Sequence, residues 1–541
     1  MQLFKKIFSS PAATFFIIVI AISSINAWQL VLPNFSYDNS FSIAAAKNIF
    51  EGKGYSLATV SAQDLSFTYY EPLNKWPPGY SWLLIIVKSI TRTDWIIACY
   101  ILNAIGATLL ILAMRKILIL LNVAVWAINA YILFAGFVPY PFLSVWFSDL
   151  MAVAFFMWAI FFLVRIIVSE NKIFMNAIAS ALLLAYCAWL KYLYYSIGFV
   201  PLVFLLFYSV RKKNPKIIKA VISACFVLSA CIMYMLWFQQ QHSGSAVYIN
   251  PTGKGFFPEH ILSLAPIIPA SFIDFRFYDM QLSRIINMPY LKMIIFWQCV
   301  NVLLSLLMLT LAIRYIKKTG FHFTSKRSIY MYLGITTSVA IFFQLLYLSL
   351  TQRPYNDGYT KFWTYVQELR YYAVVLIFVQ HGILFLMLYK KSLLGKSTKF
   401  FSVLVIVFAF IGIIHGFYYL SKQIFIKKEF GKNRKSELID FVTVKTIDSL
   451  KKQESNLVIC SDSHELGNIA SLSGIPVLYD WSSLNKTMHH SKPVTLLVIL
   501  NSRSLDYYSH FFSLYKPTQF LKIDKPNSIG ETENFYTVKF F

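Results

Sequence analysis

The chain has 541 residues, 57% of them hydrophobic and 13% charged, with a formal net charge of +25. An ordinary soluble domain is roughly 45–50% apolar and about 25% charged, so this composition calls for lipid rather than water around much of the surface. The basic surplus is spread along the chain and not gathered on one face with interleaved aromatics, which argues against nucleic acid as a partner and for anionic membrane lipid.

A window of about 20 apolar residues crosses a bilayer. Such windows recur at 12–32, 95–113, 117–137, 150–168, 173–190, 192–210, 217–238, 293–313, 329–350, 371–389 and 400–420. The first is too long for a secretion signal and lacks a small-x-small exit. The predicted fold is an all-α polytopic membrane domain of about eleven transmembrane helices with juxtamembrane helices. A small C-terminal α/β domain follows on the far side.

Positively charged short loops stay cytoplasmic. Lys5 and Lys6, Arg115 and Lys116, Arg165 and Lys172, the 211–219 and 314–327 loops, and Lys390 to Lys399 all fall on alternate connections, with Glu170 as their one acid. This places the N-terminus in the cytoplasm and the C-terminal part outside. The expected units are a membrane domain over 1–425 and a soluble outer α/β domain over 430–541. In the latter, 457–460, 477–479, 494–500 and 535–541 read as strands, and 464–472 and 504–513 as helices.

Three outer loops, 33–94, 239–292 and 351–370, exceed simple turns. In the first, Asp38 and Asn39 precede a ten-residue helix from Phe41 to Phe50, with an apolar face through Phe41, Ala44, Ala45 and Ile49 and a Glu51-Gly52-Lys53-Gly54 stop. That helix is expected to lie along the membrane surface. Lys75-Trp76-Pro77-Pro78-Gly79 then leads into a second apolar segment, Tyr80 to Ile90, too short to span.

The spans carry no Asp, Glu, Lys or Arg away from their ends, and only His381 and His415 as imidazoles. Ion-coupled transporters usually carry charge near the midplane, so chemistry is expected at the outer surface. Asp38 serves there as a general base or as a helix cap. Glu71 and Lys75 share a loop stiffened by two prolines, and Lys75 either holds a phosphate or reaches for water. Asp149 starts the fourth span, where an acid also meets the helix dipole. Lys191, in AWLKYLYY, and Arg370, in QELRYY, are phosphate ligands or interface anchors.

Five of the six cysteines (Cys99, Cys187, Cys225, Cys231, Cys299) lie in or beside apolar spans and Cys460 in the outer part, giving no disulfide framework or thiolate metal site. His242, His260, His489 and His490 lack ligand spacing, so zinc is weakly supported, while Mg²⁺ or Mn²⁺ beside a phosphate stays open.

These residues together resemble the GT-C membrane glycosyltransferases, in particular the protein O-mannosyltransferase and lipid A aminoarabinose transferase group. The resemblance rests on the acid after the first span, a surface helix ending Glu51-Gly52-Lys53-Gly54-Tyr55, the lysine before two prolines, the acid heading the fourth span and a basic residue after the fifth. It covers roughly 1–210, with Glu368-Leu369-Arg370-Tyr371 as a looser match, and Asn39 stands where many members carry a second acid.

The resemblance implies a sugar on a polyprenyl phosphate as donor, an extracytoplasmic acceptor (lipid, glycan or protein), and a bacterial inner membrane as location. It implies Asp38 and Asp149 as catalytic carboxylates, beside Glu71 as a further candidate from its place in the loop, and Lys75, Lys191 and Arg370 as ligands of the donor phosphate, with no certain cofactor. A lipid-linked glycan ligase or polymerase would instead place its charged cluster in 239–292. A flippase or transporter would move lipid without transfer.

Overall fold

The computed structural model describes residues 2–31, 37–60, 64–137, 147–246, 255–256, 325–351, 369–388, 456–461, 474–478, 493–501, 519–522 and 533–540, with single positions inside 299–313 and 403–421. The windows at 293–313 and 400–420, His415, the loops 257–292 and 352–368, and the segments expected to be helical at 464–472 and 504–513 therefore lie wholly or mostly outside the described residues.

The N-terminal part runs α1 (Gln2–Phe8), α2 (Pro11–Val31), α3 (Tyr37–Phe50), β1 (Ser56–Val60), β2 (Thr68–Pro72), α4 (Gly79–Thr91), α5 (Trp95–Leu120), α6 (Val125–Phe137), α7 (Phe147–Ser169), α8 (Ile173–Leu190), α9 (Tyr194–Ile197), α10 (Phe199–Arg211) and α11 (Pro215–Ser243). Then come α12 (Lys326–Thr351), a 3₁₀ turn at Leu369–Tyr372, and α13 (Ala373–Leu388). Among the described residues, seven helices are long and apolar enough to cross a membrane, from Trp95–Leu120 to Arg370–Leu388.

Capping residues in the sequence set several of the ends. The Ser10 hydroxyl accepts from the Ala13 N–H at the start of α2, Asp94 accepts from Ile96 and Ile97 at the start of α5, and Asn214 accepts from Ile217 at the start of α11. Pro11 and Pro215 occupy first helical positions, where the missing N–H costs nothing. Apolar side chains such as Phe15, Phe16, Phe226, Met233, Trp237 and Phe343 stay exposed, as lipid-facing surface requires.

The structure corrects one boundary. Arg115 and Lys116 are not in a loop: α5 continues to Leu120 because the intervening residues are strong helix formers, and the turn comes at Asn122, whose φ of 54° suits a left-handed stop. There the Arg327 guanidinium donates to the carbonyls of Leu121 (3.0 Å) and Asn122 (2.5 Å), and Lys5 lies 5.2 Å from the Trp126 ring. One end of the bundle thus gathers the N-terminus, the α5–α6 turn and the start of α12, all assigned to one side by charge.

Small residues allow close helix approach. A Cβ on Gly136 of α6 would meet Ala21 Cα at 2.5 Å, and Cys187 of α8 lies 3.3 Å from the Ala152 carbonyl of α7. In the interior, Tyr131 donates to Gln380 (2.9 Å) and the Tyr330 hydroxyl pairs with His381 Nδ1 (2.6 Å), so the buried imidazole joins two helices.

The helix α3 is buried by protein on more than its apolar face. Its apolar residues Phe41, Ala44 and Ala45 pack with Tyr55, Leu57 and Leu73, and Ser40 and Ser42 on its other side are buried too. The loop closes over α3 because β1 and β2, which the sequence did not announce, form a hairpin above it. The short apolar segment forms α4, which buries Tyr80, Leu84 and Val87 while Trp82, Ile86 and Ile90 stay exposed.

The C-terminal strands are β3 (Leu457–Ser461), β4 (Val477–Leu478), β5 (Val494–Asn501), β6 (Gln519–Lys522) and β7 (Glu533–Phe540). They join the hairpin in one seven-stranded sheet of order β2-β1-β4-β3-β5-β7-β6. The link is a parallel pairing of Thr59 with Val477, so the loop after α3 and the C-terminal segment share a sheet.

Candidate active site

Asp149 sits in the first turn of α7 and Lys191 directly after α8, with extended backbone and its N–H on the Cys187 carbonyl. Arg370 lies in the 3₁₀ turn that feeds α13. The close α7–α8 contact and the packing of α13 on α7 bring these three positions together. Lys191 Nζ is 3.1 Å and Arg370 NH1 3.5 Å from the same oxygen, Asp149 Oδ2. Asp149, Lys191 and Arg370 are only 4%, 8% and 6% exposed, so the cluster is held away from bulk water, where charge interactions strengthen.

Tyr371, not singled out from the sequence, completes the cluster. Its hydroxyl lies 3.1 Å from Arg370 NH2, and its ring centre is 4.8 Å from the guanidinium carbon and 5.8 Å from Lys191 Nζ. Two cations therefore sit at one electron-rich ring. Its adjacency to Arg370 was the available signal.

The Lys75 loop is fastened beside this cluster. Tyr192, next to Lys191, donates to the Asn74 carbonyl at 2.6 Å, and Tyr186 donates to the Gly79 carbonyl at 3.0 Å. A Cβ on Gly79 would lie 2.5 Å from the Trp189 carbonyl oxygen and 2.7 Å from its carbon. Backbone cannot retreat as a flexible side chain can, so Gly79→Ala is expected to cost about 1–3 kcal/mol and lower the melting temperature of the purified protein. An unchanged melting curve would show that this approach is looser. Lys75 itself is partly buried, with Nζ 5.1 Å from the Trp76 ring.

Asp38 lies in the first turn of α3, since that helix begins at Tyr37 and not at Phe41; its side chain is outside the described residues. Glu71 stands on the exposed strand β2, opposite Leu57, and partial burial raises its carboxyl above the usual range. Nearby, Glu51 is affected most by burial, which raises it, but hydrogen bonds from Lys53 and Lys47 prevail and hold it below that range. The structure thus joins Asp149, Lys191 and Arg370, ties the backbone before Lys75 to Tyr192, the residue after Lys191, and leaves Glu71 on a separate strand. Among the described residues no three of His, Cys, Asp and Glu are grouped to hold a metal ion.

No protein-family model matches the sequence, and no curated protein matches it significantly. Solved structures do. ArnT from Cupriavidus metallidurans in the apo state is similar over 98% of both chains at 9% identity, with a TM-score of 0.55. The chain has the fold of the GT-C membrane glycosyltransferases. The same ArnT bound to undecaprenyl phosphate is similar over 97% of this chain and 98% of that one, again at 9% identity and a TM-score of 0.55. The apo oligosaccharyltransferase from Archaeoglobus fulgidus is similar over 93% of this chain and 71% of its own, at 13% identity and a TM-score of 0.51. In this fold the charged cluster draws on the start of α7, the residue after α8 and the 3₁₀ turn before α13.

Proposed function

We propose that this chain is an integral membrane glycosyltransferase that moves a sugar from a polyprenyl-phosphate donor to a lipid, glycan or protein acceptor on the outer face. The observation that carries the reading is the meeting of Lys191 and Arg370 on one buried carboxylate, Asp149, in a fold shared with a protein that was solved with undecaprenyl phosphate.

The reaction is an inverting displacement. An acceptor hydroxyl or amine attacks the anomeric carbon, its proton passes to Asp38, and the bond from that carbon to the phosphate oxygen breaks. Negative charge grows on the departing phosphate. Lys75, Lys191 and Arg370 take up that charge, and their worth is greatest where water is scarce. Asp149 holds the two cations in place before the donor arrives. Glu71, a third candidate carboxylate on strand β2, keeps its proton to a higher pH than an ordinary carboxylate does. A divalent ion (Mg²⁺, Mn²⁺ or Zn²⁺) beside the phosphate would draw on Asp38, because Asp149 is engaged by two cations.

The topology that suits this reaction has about eleven spans, a cytoplasmic N-terminus and an outer-facing C-terminal part. The units are a catalytic domain over 1–425 and an outer domain over 430–541, in a bacterial inner membrane. The protein in nanodiscs, given radiolabelled polyprenyl-phosphate sugar and cell-envelope extract, is expected to move label to an acceptor and release polyprenyl phosphate. Asp38→Asn should bind donor yet transfer at least about 100-fold more slowly, as loss of a general base does. Transfer at the unmutated rate would remove Asp38 as the base. Outward movement of labelled lipid without transfer would favour a flippase.

A further inference from the structure

The loop that carries Lys75 cannot hold itself. Pro77 and Pro78 have no N–H to give, so the loop carbonyls need donors from elsewhere. Three tyrosines supply them from three parts of the chain. Tyr192 donates to the Asn74 carbonyl at 2.6 Å, Tyr55 to the Trp76 carbonyl at 2.9 Å, and Tyr186 to the Gly79 carbonyl at 3.0 Å. The carbonyls on either side of Lys75 are thus both held, one by the residue that follows Lys191.

Tyr192 is itself oriented. Its hydroxyl is also 2.9 Å from Gln239 Oε1, on the last turns of α11 and only 2% exposed. A phenol has one proton, and the shorter contact to Asn74 takes it. Gln239 Nε2 is buried with no hydrogen-bond partner, and turning the carboxamide end for end would let that nitrogen donate to the phenol oxygen. In that orientation Gln239 directs the Tyr192 proton onto the Lys75 loop. Burial raises both Tyr55 and Tyr192 above the ordinary phenol range, which keeps them as donors at any working pH.

We propose that Tyr192 and Tyr55 are positioning residues for Lys75. By holding the backbone on both sides of it, they fix the distance of its ammonium from Lys191 and Arg370, so that the three cations meet one phosphate together. This inference rests on assigning the donor phosphate to those cations.

The test is binding of undecaprenyl phosphate to the full-length protein in nanodiscs, read as a double-mutant cycle. Tyr192→Phe, which removes one oxygen, is expected to weaken binding about tenfold, the effect of losing one well-placed hydrogen bond. In a Lys75→Met background the same change should have little further effect, because a merely structural tyrosine would cost the same in both backgrounds. Tyr55→Phe should reproduce the pattern and stands in if Tyr192→Phe does not fold. Equal losses in both backgrounds, or full affinity in both single tyrosine variants, would overturn the positioning role while leaving the phosphate assignment intact. Failure of the unmutated protein to bind undecaprenyl phosphate would overturn that assignment, and this inference with it. Tyr347→Phe, on an exposed position of α12, serves as the control.

Discussion

Lys191→Met is expected to reduce sugar transfer about 100- to 1,000-fold with the protein still inserted and folded. A preorganised donor aimed at developing charge contributes about that much in other enzymes, most of it in the chemical step. Here the ammonium lies 3.1 Å from Asp149, is 8% exposed, and shares the Tyr371 ring with Arg370. Methionine keeps most of the side-chain volume, so packing against Tyr371 is largely retained while the charge is lost. The substitution leaves Arg370 on Asp149, and the carboxylate keeps a cationic partner. Initial rates at saturating and limiting donor separate loss of binding from loss of turnover. A variant with unchanged rate and affinity would take Lys191 out of the site.

Asp149→Asn is expected to act first on stability, lowering it by about 3–5 kcal/mol, the usual effect of breaking a buried ion pair by removing one partner. Two buried cations would lose their shared carboxylate, and the amide that replaces it carries no charge to offset them. Thermal unfolding in detergent or nanodiscs measures this. The double variant Asp149→Asn/Lys191→Met should recover part of the loss, because one of the two stranded cations is gone. If the double variant were less stable than Asp149→Asn alone, the ion pair would not be what sets the cost. Undecaprenyl phosphate, which brings negative charge to the same place, should also stabilise Asp149→Asn more than it does the unmutated chain.

Hydropathy and charge order made the membrane part legible, because in lipid each span must satisfy its own backbone and so announces itself as a long apolar run. The fold seen in ArnT and the archaeal oligosaccharyltransferase agrees with the resemblance read from short motifs in the first 210 residues. Asp149, Lys191 and Arg370 were picked out one at a time as charges at span ends, where a charge is costly unless it has a partner. Their partnership was not readable, since 221 residues separate Asp149 from Arg370 and only helix packing closes that gap. The hairpin of β1 and β2 was missed for a related reason: its strands are short, and β1 finds its second neighbour, β4, more than 400 residues away in sequence.

The sequence by itself determined that this chain is built from long apolar helices fit for a membrane, and which charged residues stand near their ends. Both follow from local composition and the transfer of residues between water and lipid. Only the tertiary structure decided that α3 is buried under the first loop, that this loop and the C-terminal strands form one sheet, and that two cations share one carboxylate over Tyr371. Such outcomes depend on side chains and edges that meet across hundreds of residues, and no local pattern encodes which partner they meet.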